Sequence, residues 1–184
     1  MAHDSDNPVL RLPKKHAAGL ENRPDPDLGR RLQASQSFRN ALVAGLLATL
    51  AFAMLWLIVT AATGRILPFL AAVSGLPIGY AVQRAGRGLD WRFPLLAGAL
   101  ALAGALVGNV LIAANTTAAE FGTDLWRIIG NVTPMTWPVF FEEVMTGADY
   151  VYAAAAAGIA AYYANRRLSR RQFFALRSWQ ERQE

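Results

Sequence analysis

ILPFLAAVSGLPIGYAV (residues 66–82), QRAGRGLDWR (83–92) and PLLAGALALAGALVGNVLIAA (94–114) follow one another and decide the fold. Two apolar runs flank a short basic turn, the pattern of a membrane hairpin. The first run holds Gly75 and Gly79, the second Gly104 and Gly108. Glycines four residues apart share one helix face and let a neighbouring backbone come close, so these four are candidate helix-packing residues. Pro68 and Pro94 suit the opening turns of their helices, where a missing N–H is tolerated. Pro77 falls inside the first run and predicts a kink that frees the carbonyl of Val73, with Ser74 placed to satisfy it. Asn109 is the one strongly polar side chain of the second run. It reads as a helix–helix hydrogen-bond partner or, with Ser74 and Pro77, as part of a polar path.

Outward from the hairpin, Ala41–Ala62 is an uncharged stretch of the roughly 20 residues that a 30 Å hydrocarbon layer requires. Thr63-Gly64-Arg65 ends it, with glycine as the helix stop. A fourth, Ala-rich span is predicted over Asp149–Ala164. Asp149 suits its N-terminus, Ala154 with Gly158 and Ala157 with Ala161 offer small faces to the hairpin glycines, and Tyr150, Tyr152, Tyr162 and Tyr163 anchor its ends. The connection Asn115–Gly147 is too long for plain loop. Phe121, Leu125, Ile128 and Ile129 predict a short interfacial helix ending near Gly130, and a second begins near Pro138 and carries Phe140, Phe141, Val144 and Met145. The expected architecture is all-α: four transmembrane helices at about 41–62, 66–82, 94–114 and 149–164, within a membrane domain of residues 28–165. Residues 1–27 read as a disordered tail without a cleavable leader, and Leu28–Asn40 as a helix running on into the membrane. Residues 166–184 read as a basic, helical tail.

Charge placement sets the expected orientation. With four spans, only Arg65 and Arg127 of the 18 Lys and Arg residues fall on the side opposite the termini. That side holds Glu120, Asp124, Glu142, Glu143 and Asp149 instead. The bias predicts both termini in the cytoplasm. Arg84, Arg87, Arg92, Arg166, Arg167, Arg170 and Arg171, with Trp91 at the interface, are candidate topology anchors on anionic headgroups. The net charge of +5 therefore points to a lipid surface and not to nucleic acid. Asn115-Thr-Thr and Asn131-Val-Thr match the glycosylation sequon, a pattern short enough to carry little weight.

Chemistry is sparse. The chain has no cysteine, and its two histidines, His3 and His16, lie in the N-terminal tail. Disulfides, thiolate metal sites, haem ligation within the bilayer and Ser–His catalysis are thereby excluded. Gly86-Arg-Gly88 is too short for a phosphate-cradling loop of the nucleotide-binding type. No carboxylate lies inside a span except Asp149 at an end, which argues against proton-coupled export. Glu142, Glu143 and Asp149 read as solvated loop charge. No cofactor and no enzymatic activity are expected.

Gly79-Tyr-Ala-Val-Gln-Arg-Ala-Gly-Arg-Gly88, followed by a Gly/Ala/Leu span reaching Gly108-Asn109, resembles a group of uncharacterised bacterial four-helix inner-membrane proteins over roughly residues 42–166. Some members carry an N-terminal zinc ribbon, which a cysteine-free chain cannot form. The resemblance implies four spans and a bacterial inner membrane, and no activity. The functional expectation is a small accessory or scaffold subunit that packs on another membrane subunit, or on itself, through small-residue faces. The alternative is a small-solute transporter or channel built on the Pro77 kink and Asn109.

Overall fold

The computed structural model describes residues 26–133 and 135–183, so the reading of residues 1–25 as a tail lies outside the described residues. All regular structure described is helical: α1 (Pro26–Ala34), α2 (Phe38–Thr63), α3 (Phe69–Val73), α4 (Gly75–Gly86), α5 (Arg92–Glu120), α6 (Leu125–Asn131), α7 (Trp137–Val144), α8 (Gly147–Ala164) and α9 (Arg170–Gln180). Two helices, α2 and α5, are long and apolar enough to cross a membrane alone, and the number is three if α7 and α8, bent by 83° at their break, count as one broken span. The 26 residues of α2 measure about 39 Å and the 29 of α5 about 44 Å, against a hydrocarbon layer of about 30 Å. The sequence-predicted second and fourth spans are shorter. The second is two pieces, α3 of 5 residues and α4 of 12, and the fourth is the 18-residue α8.

The break in the second run lies where Pro77 was expected to put it, directly after Val73, whose carbonyl a proline four residues on cannot bond. It falls at Ser74, where the hydroxyl donates to the carbonyl of Ala71 at 2.6 Å, so the group it satisfies is not that of Val73. Pro77 is exposed in the first turn of α4. The first N–H groups of a helix have no intrahelical acceptor, so the proline there removes little. The bond that Pro77 cannot make to the Val73 carbonyl coincides with the interruption between α3 and α4.

Contacts divide the described chain into two units, residues 35–167 and residues 26–34 with 168–183. In the larger unit α2, the α3–α4 pair, α5 and α8 alternate in direction. One core cluster joins Ala41, Val82, Phe93, Ala97 and Ala164, from the start of α2, the end of α4, the start of α5 and the end of α8. A second joins Trp56, Ala71, Ile112 and Ala153 from the other end of the same helices. The buried positions are mostly alanine, so the helices are held by close backbone approach more than by bulky side chains.

The glycines of the hairpin face away from each other. A Cβ on Gly75 would collide with the carbonyl oxygen of Ala156, and one on Gly79 would lie 2.5 Å from that of Ala160, both on α8. On α5, a Cβ on Gly104 would meet Thr49 at 2.5 Å and one on Gly108 the ring of Trp56 at 2.9 Å, both on α2. Both halves of the hairpin pack on α2 and on α8, and these glycine notches seat α4 on α8 and α5 on α2. In α8 the buried alanines are Ala153, Ala156, Ala160 and Ala164, and the expected face of Ala157 and Ala161 meets the hairpin at Gly98 of α5, where a Cβ would lie 3.3 Å from the Ala157 carbonyl oxygen and 3.8 Å from the Ala161 Cβ. The expected face of Ala154 and Gly158 is exposed, with nothing within 4 Å of a Cβ placed on Gly158. The reason is register: positions 153, 156, 160 and 164 turn to one side of the helix, and 154 and 158 turn away from it.

In the smaller unit α1 does not run on into α2, as the sequence suggested. Ser35-Gln36 separates them, and Ser37 caps α2 by accepting from the N–H of Asn40 at 3.3 Å. Instead α1 pairs with α9, where a Cβ on Gly29 would lie 2.5 Å from the carbonyl of Ala175. A capping box starts α9: Ser169 accepts from the Gln172 N–H at 3.3 Å, and the Gln172 side chain accepts from the Ser169 N–H at 3.1 Å.

Glycine-to-alanine changes should split by position. Alanine favours a helix by up to about 1 kcal/mol, so Gly158→Ala should hold or raise the thermal midpoint in detergent. Gly75→Ala and Gly79→Ala should lower it, by overpacking worth about 1–3 kcal/mol each. Melting curves of the three purified variants check this, and equal behaviour at all three sites would contradict the α4–α8 contact.

Candidate functional site

Two regions concentrate polar groups in the larger unit: scattered positions inside the apolar bundle, and the end at which α4 and α8 finish. Inside, Ser74 is buried with its hydroxyl committed to Ala71. Asn109 is buried and its side-chain N–H donates to the Met145 thioether at 3.9 Å, a weak bond of α5 to the α7–α8 connection. Pro77 is exposed. The three residues of the suggested polar path are thus engaged separately: one within its own helix, one with a sulfur, one at the surface.

Trp56 and Thr60 are polar core residues the reading of the sequence passed over. Both are buried, and neither Trp56 Nε1 nor Thr60 Oγ1 has a partner among the described residues. The signal for them was available. A tryptophan deep within a 22-residue apolar run is out of place in the interfacial belt and marks the side of the helix that turns inward. Its ring fills the notch above Gly108.

The acidic residues stay apart. Glu142 and Glu143 are exposed on α7, whereas Asp149 is buried and closes the start of α8, accepting from the Thr146 N–H at 2.9 Å and from its hydroxyl at 2.6 Å. Among the described residues no three His, Asp or Glu side chains are grouped to hold a metal ion.

The basic end is more elaborately built. α4 finishes at Gly86, and Arg87 takes the left-handed conformation at φ 48°, its N–H donating to Gln83 O at 3.0 Å. Gly86 and Gly88 on either side are packed on the Phe93 ring so tightly that a Cβ on either would strike it, within 2.8 Å for Gly86. The turn is then pinned from several elements. Gly86 O accepts from the Ser37 N–H at 2.9 Å, and the Leu89 N–H donates to the Gln36 side chain at 3.1 Å. Gln83 Nε2 donates to Asn165 O at 2.9 Å, and Arg166 reaches Arg87 O at 3.4 Å. Arg167 donates to the Tyr162 hydroxyl at 2.6 Å and lies 5.7 Å from that ring's centre.

No family model, curated protein or solved structure matches this chain. The charges themselves therefore carry the argument. Arg39, Arg84, Arg87, Arg92, Arg166 and Arg167 share this end of the larger unit with Asp90 as its carboxylate, and Trp91 stands exposed beside them. Arg65 and Arg127 lie at the opposite end with Glu120, Asp124, Glu142, Glu143 and Asp149. The arginines separate between units: Arg84, Arg87, Arg92, Arg166 and Arg167 belong to the larger, whereas Arg170 and Arg171 open α9 in the smaller, both exposed.

Cysteine introduced at Ser74 or Asn109 should stay unmodified by a polar thiol reagent in solubilised protein, while Thr63→Cys, exposed at the end of α2, should react fully. Mass spectrometry after labelling reads the difference. Fast modification at either inner position would reopen a polar path.

Proposed function

We propose that this chain is a non-catalytic, multi-pass protein of a bacterial inner membrane, with four membrane-crossing segments and both termini in the cytoplasm. In this reading it serves as an accessory or scaffold subunit, lodged against a second membrane subunit or another copy of itself. The observation that carries it is the charge asymmetry of the larger unit: arginines crowd the end where α2 and α5 start and α4 and α8 finish, and carboxylates gather at the other. Lys and Arg resist transfer across the membrane when close to a span, so the arginine end is the cytoplasmic end. For α3–α4 and α8, which are short, insertion is assisted by packing on α2 and α5.

The scaffold role is supported by what α8 leaves uncovered. Gly75, Gly79, Gly104 and Gly108 are consumed by contacts within the chain, and Ala154 with Gly158 presents a small-residue face outward. Small residues four apart are the usual seat for a further transmembrane helix. The second reading, a small-solute transporter or channel, draws on the helix break at Ser74 and on the unpaired polar atoms of Trp56 and Thr60. Broken helices line substrate sites in transporters, which is why the thiol-labelling result above separates the two readings.

Reporter fusions should show cytoplasmic signal at Gly88 and Glu184 and periplasmic signal at Gly130. A periplasmic Glu184 would reduce the architecture to three spans. For the scaffold role, Gly158→Cys should form cross-links in intact cells to a second copy or to another membrane protein. A chain that stays uncross-linked and runs as a lone monomer in mild detergent would defeat the proposal.

A further inference from the structure

We propose that the Gly86-Arg87-Gly88 turn, with Arg84 and Arg166, is a preorganised binding site for the phosphate group of an anionic lipid headgroup. The inference deepens the reading of this end as the membrane-surface end, turning a diffuse basic belt into one defined site.

The backbone of Arg87 is the first ground. It is the one non-glycine residue with positive φ among the described residues, at the position after a helix where glycine is usual. L-residues other than Asn and Asp rarely adopt this conformation, because Cβ crowds the carbonyl. The neighbouring glycines are required for another purpose, since Phe93 leaves no room for a Cβ at 86 or 88. An arginine held in a strained conformation between them, when glycine would be relaxed there, argues that its side chain has a task.

Rigidity is the second ground. Four hydrogen bonds from the chain before α2, from α4 and from the end of α8 fix the turn, and one of them brings the Arg166 guanidinium to Arg87 O. Arginine carries five N–H donors, so that bond leaves most of them for an anion. Arg84 sits in the last turn of α4, three residues before Arg87. Guanidiniums suit the tetrahedral oxygens of a phosphate, which they meet with paired donors, and this fixed backbone carries Arg84 and Arg87 beside the Arg166 guanidinium.

Unbalanced charge is the third. No ion pair joins Arg84, Arg87, Arg92 or Arg166 to a carboxylate among the described residues, where the one ion pair found, Arg177–Glu181, lies in the smaller unit. Helix dipoles do not offset the arginines. α4 and α8 present C-termini here and α2 and α5 present N-termini, so partial charges of roughly −0.5 and +0.5 cancel in pairs. A phosphate supplies the missing negative charge.

The test uses the full chain in a neutral detergent, where membrane sidedness plays no part. Thermal midpoints are recorded against dihexanoylphosphatidylglycerol, dihexanoylphosphatidylcholine and inorganic phosphate. The phosphatidylglycerol should give a saturable rise that the zwitterionic lipid does not. Arg87→Gln and Arg166→Gln should each weaken its half-saturation at least tenfold, and Arg170→Gln/Arg171→Gln should leave it unchanged. Arg87→Gly should raise the midpoint without lipid, by relieving the left-handed residue, yet lose most of the lipid-dependent rise. A purely structural role for Arg87 would not produce that opposition. Inorganic phosphate matching the lipid would support the site and reassign its source to free phosphate. The proposal is overturned by no saturable rise with either anion, by unchanged half-saturation in Arg87→Gln and Arg166→Gln, or by equal loss in Arg170→Gln/Arg171→Gln, which would mean unspecific charge attraction. Because micelles have no sides, each such failure leaves the orientation to the reporter fusions, and a reversed orientation there would leave this site to be judged by the titration.

Discussion

The seating of Gly75 and Gly79 on the Ala156 and Ala160 carbonyls governs the larger unit. An Ala-rich helix such as α8 has little side-chain surface to bury, and lipid tails offer no hydrophobic reward for pairing helices. Association must come from dispersion between closely spaced backbones, which needs small residues on both sides. Ala153, Ala156, Ala160 and Ala164 meet that need on α8, and the glycines meet it on α4. With α4 fixed there, α5 fills the remaining side of α8 and turns Gly104 and Gly108 toward α2. α2 follows as the outermost helix, fully buried at Ala41, Gly45, Trp56 and Thr60, partly buried at Ala48, Phe52 and Leu57, and exposing Leu46, Leu47, Leu50, Met54, Leu55 and Ile58. An apolar exposed surface of that extent fits a lipid environment.

Alternation of the helices then places charges that are far apart in sequence. Arg39, Arg84, Arg87, Arg92 and Arg166 converge because each sits near the same end of an antiparallel partner. The Phe93 ring under Gly86 and Gly88 ties packing to that charge pattern, since it holds the turn close to the start of α2. Electrostatics alone would spread these arginines apart. The apolar contact beneath them, and the hydrogen bonds from Gln36, Ser37, Gln83 and Arg166, keep them together.

Polar atoms inside the bundle show how an apolar helix handles them. Thr49 returns its hydroxyl to the carbonyl four residues back at 2.9 Å, and Ser74, at a helix break, to the carbonyl three residues back at 2.6 Å. Trp56 and Thr60 lack that outlet. Buried donors left unpaired cost about 1–3 kcal/mol each, so the stretch around Trp56 is the least settled part of an otherwise satisfied core.

The sequence by itself determined composition-level features: helices throughout, two long apolar runs that can cross a membrane, a Gly-Arg-Gly turn between α4 and α5, short helices within residues 115–147, the first without the expected Phe121, which ends α5, and a helix start near Asp149. Each follows from local rules, namely run length, glycine and proline placement and capping residues, which need no knowledge of neighbours. Ser169 and Gln172 carried a signal of the same kind for the start of α9, and it went unused. The tertiary structure decided which small residues touch. Ala154, Ala156, Ala157, Gly158, Ala160 and Ala161 are chemically near-equivalent along α8, so no local rule selects a face; only the partner helix, with its own glycines and its angle of approach, does so. The same holds for Ser74, whose hydroxyl bonds the Ala71 carbonyl and not the Val73 carbonyl that Pro77 leaves free, and for α1, whose attachment to α9 depends on Gly29 meeting Ala175 across most of the chain's length. Periodicity tells a helix which side is apolar, and when every side is apolar the choice passes to packing.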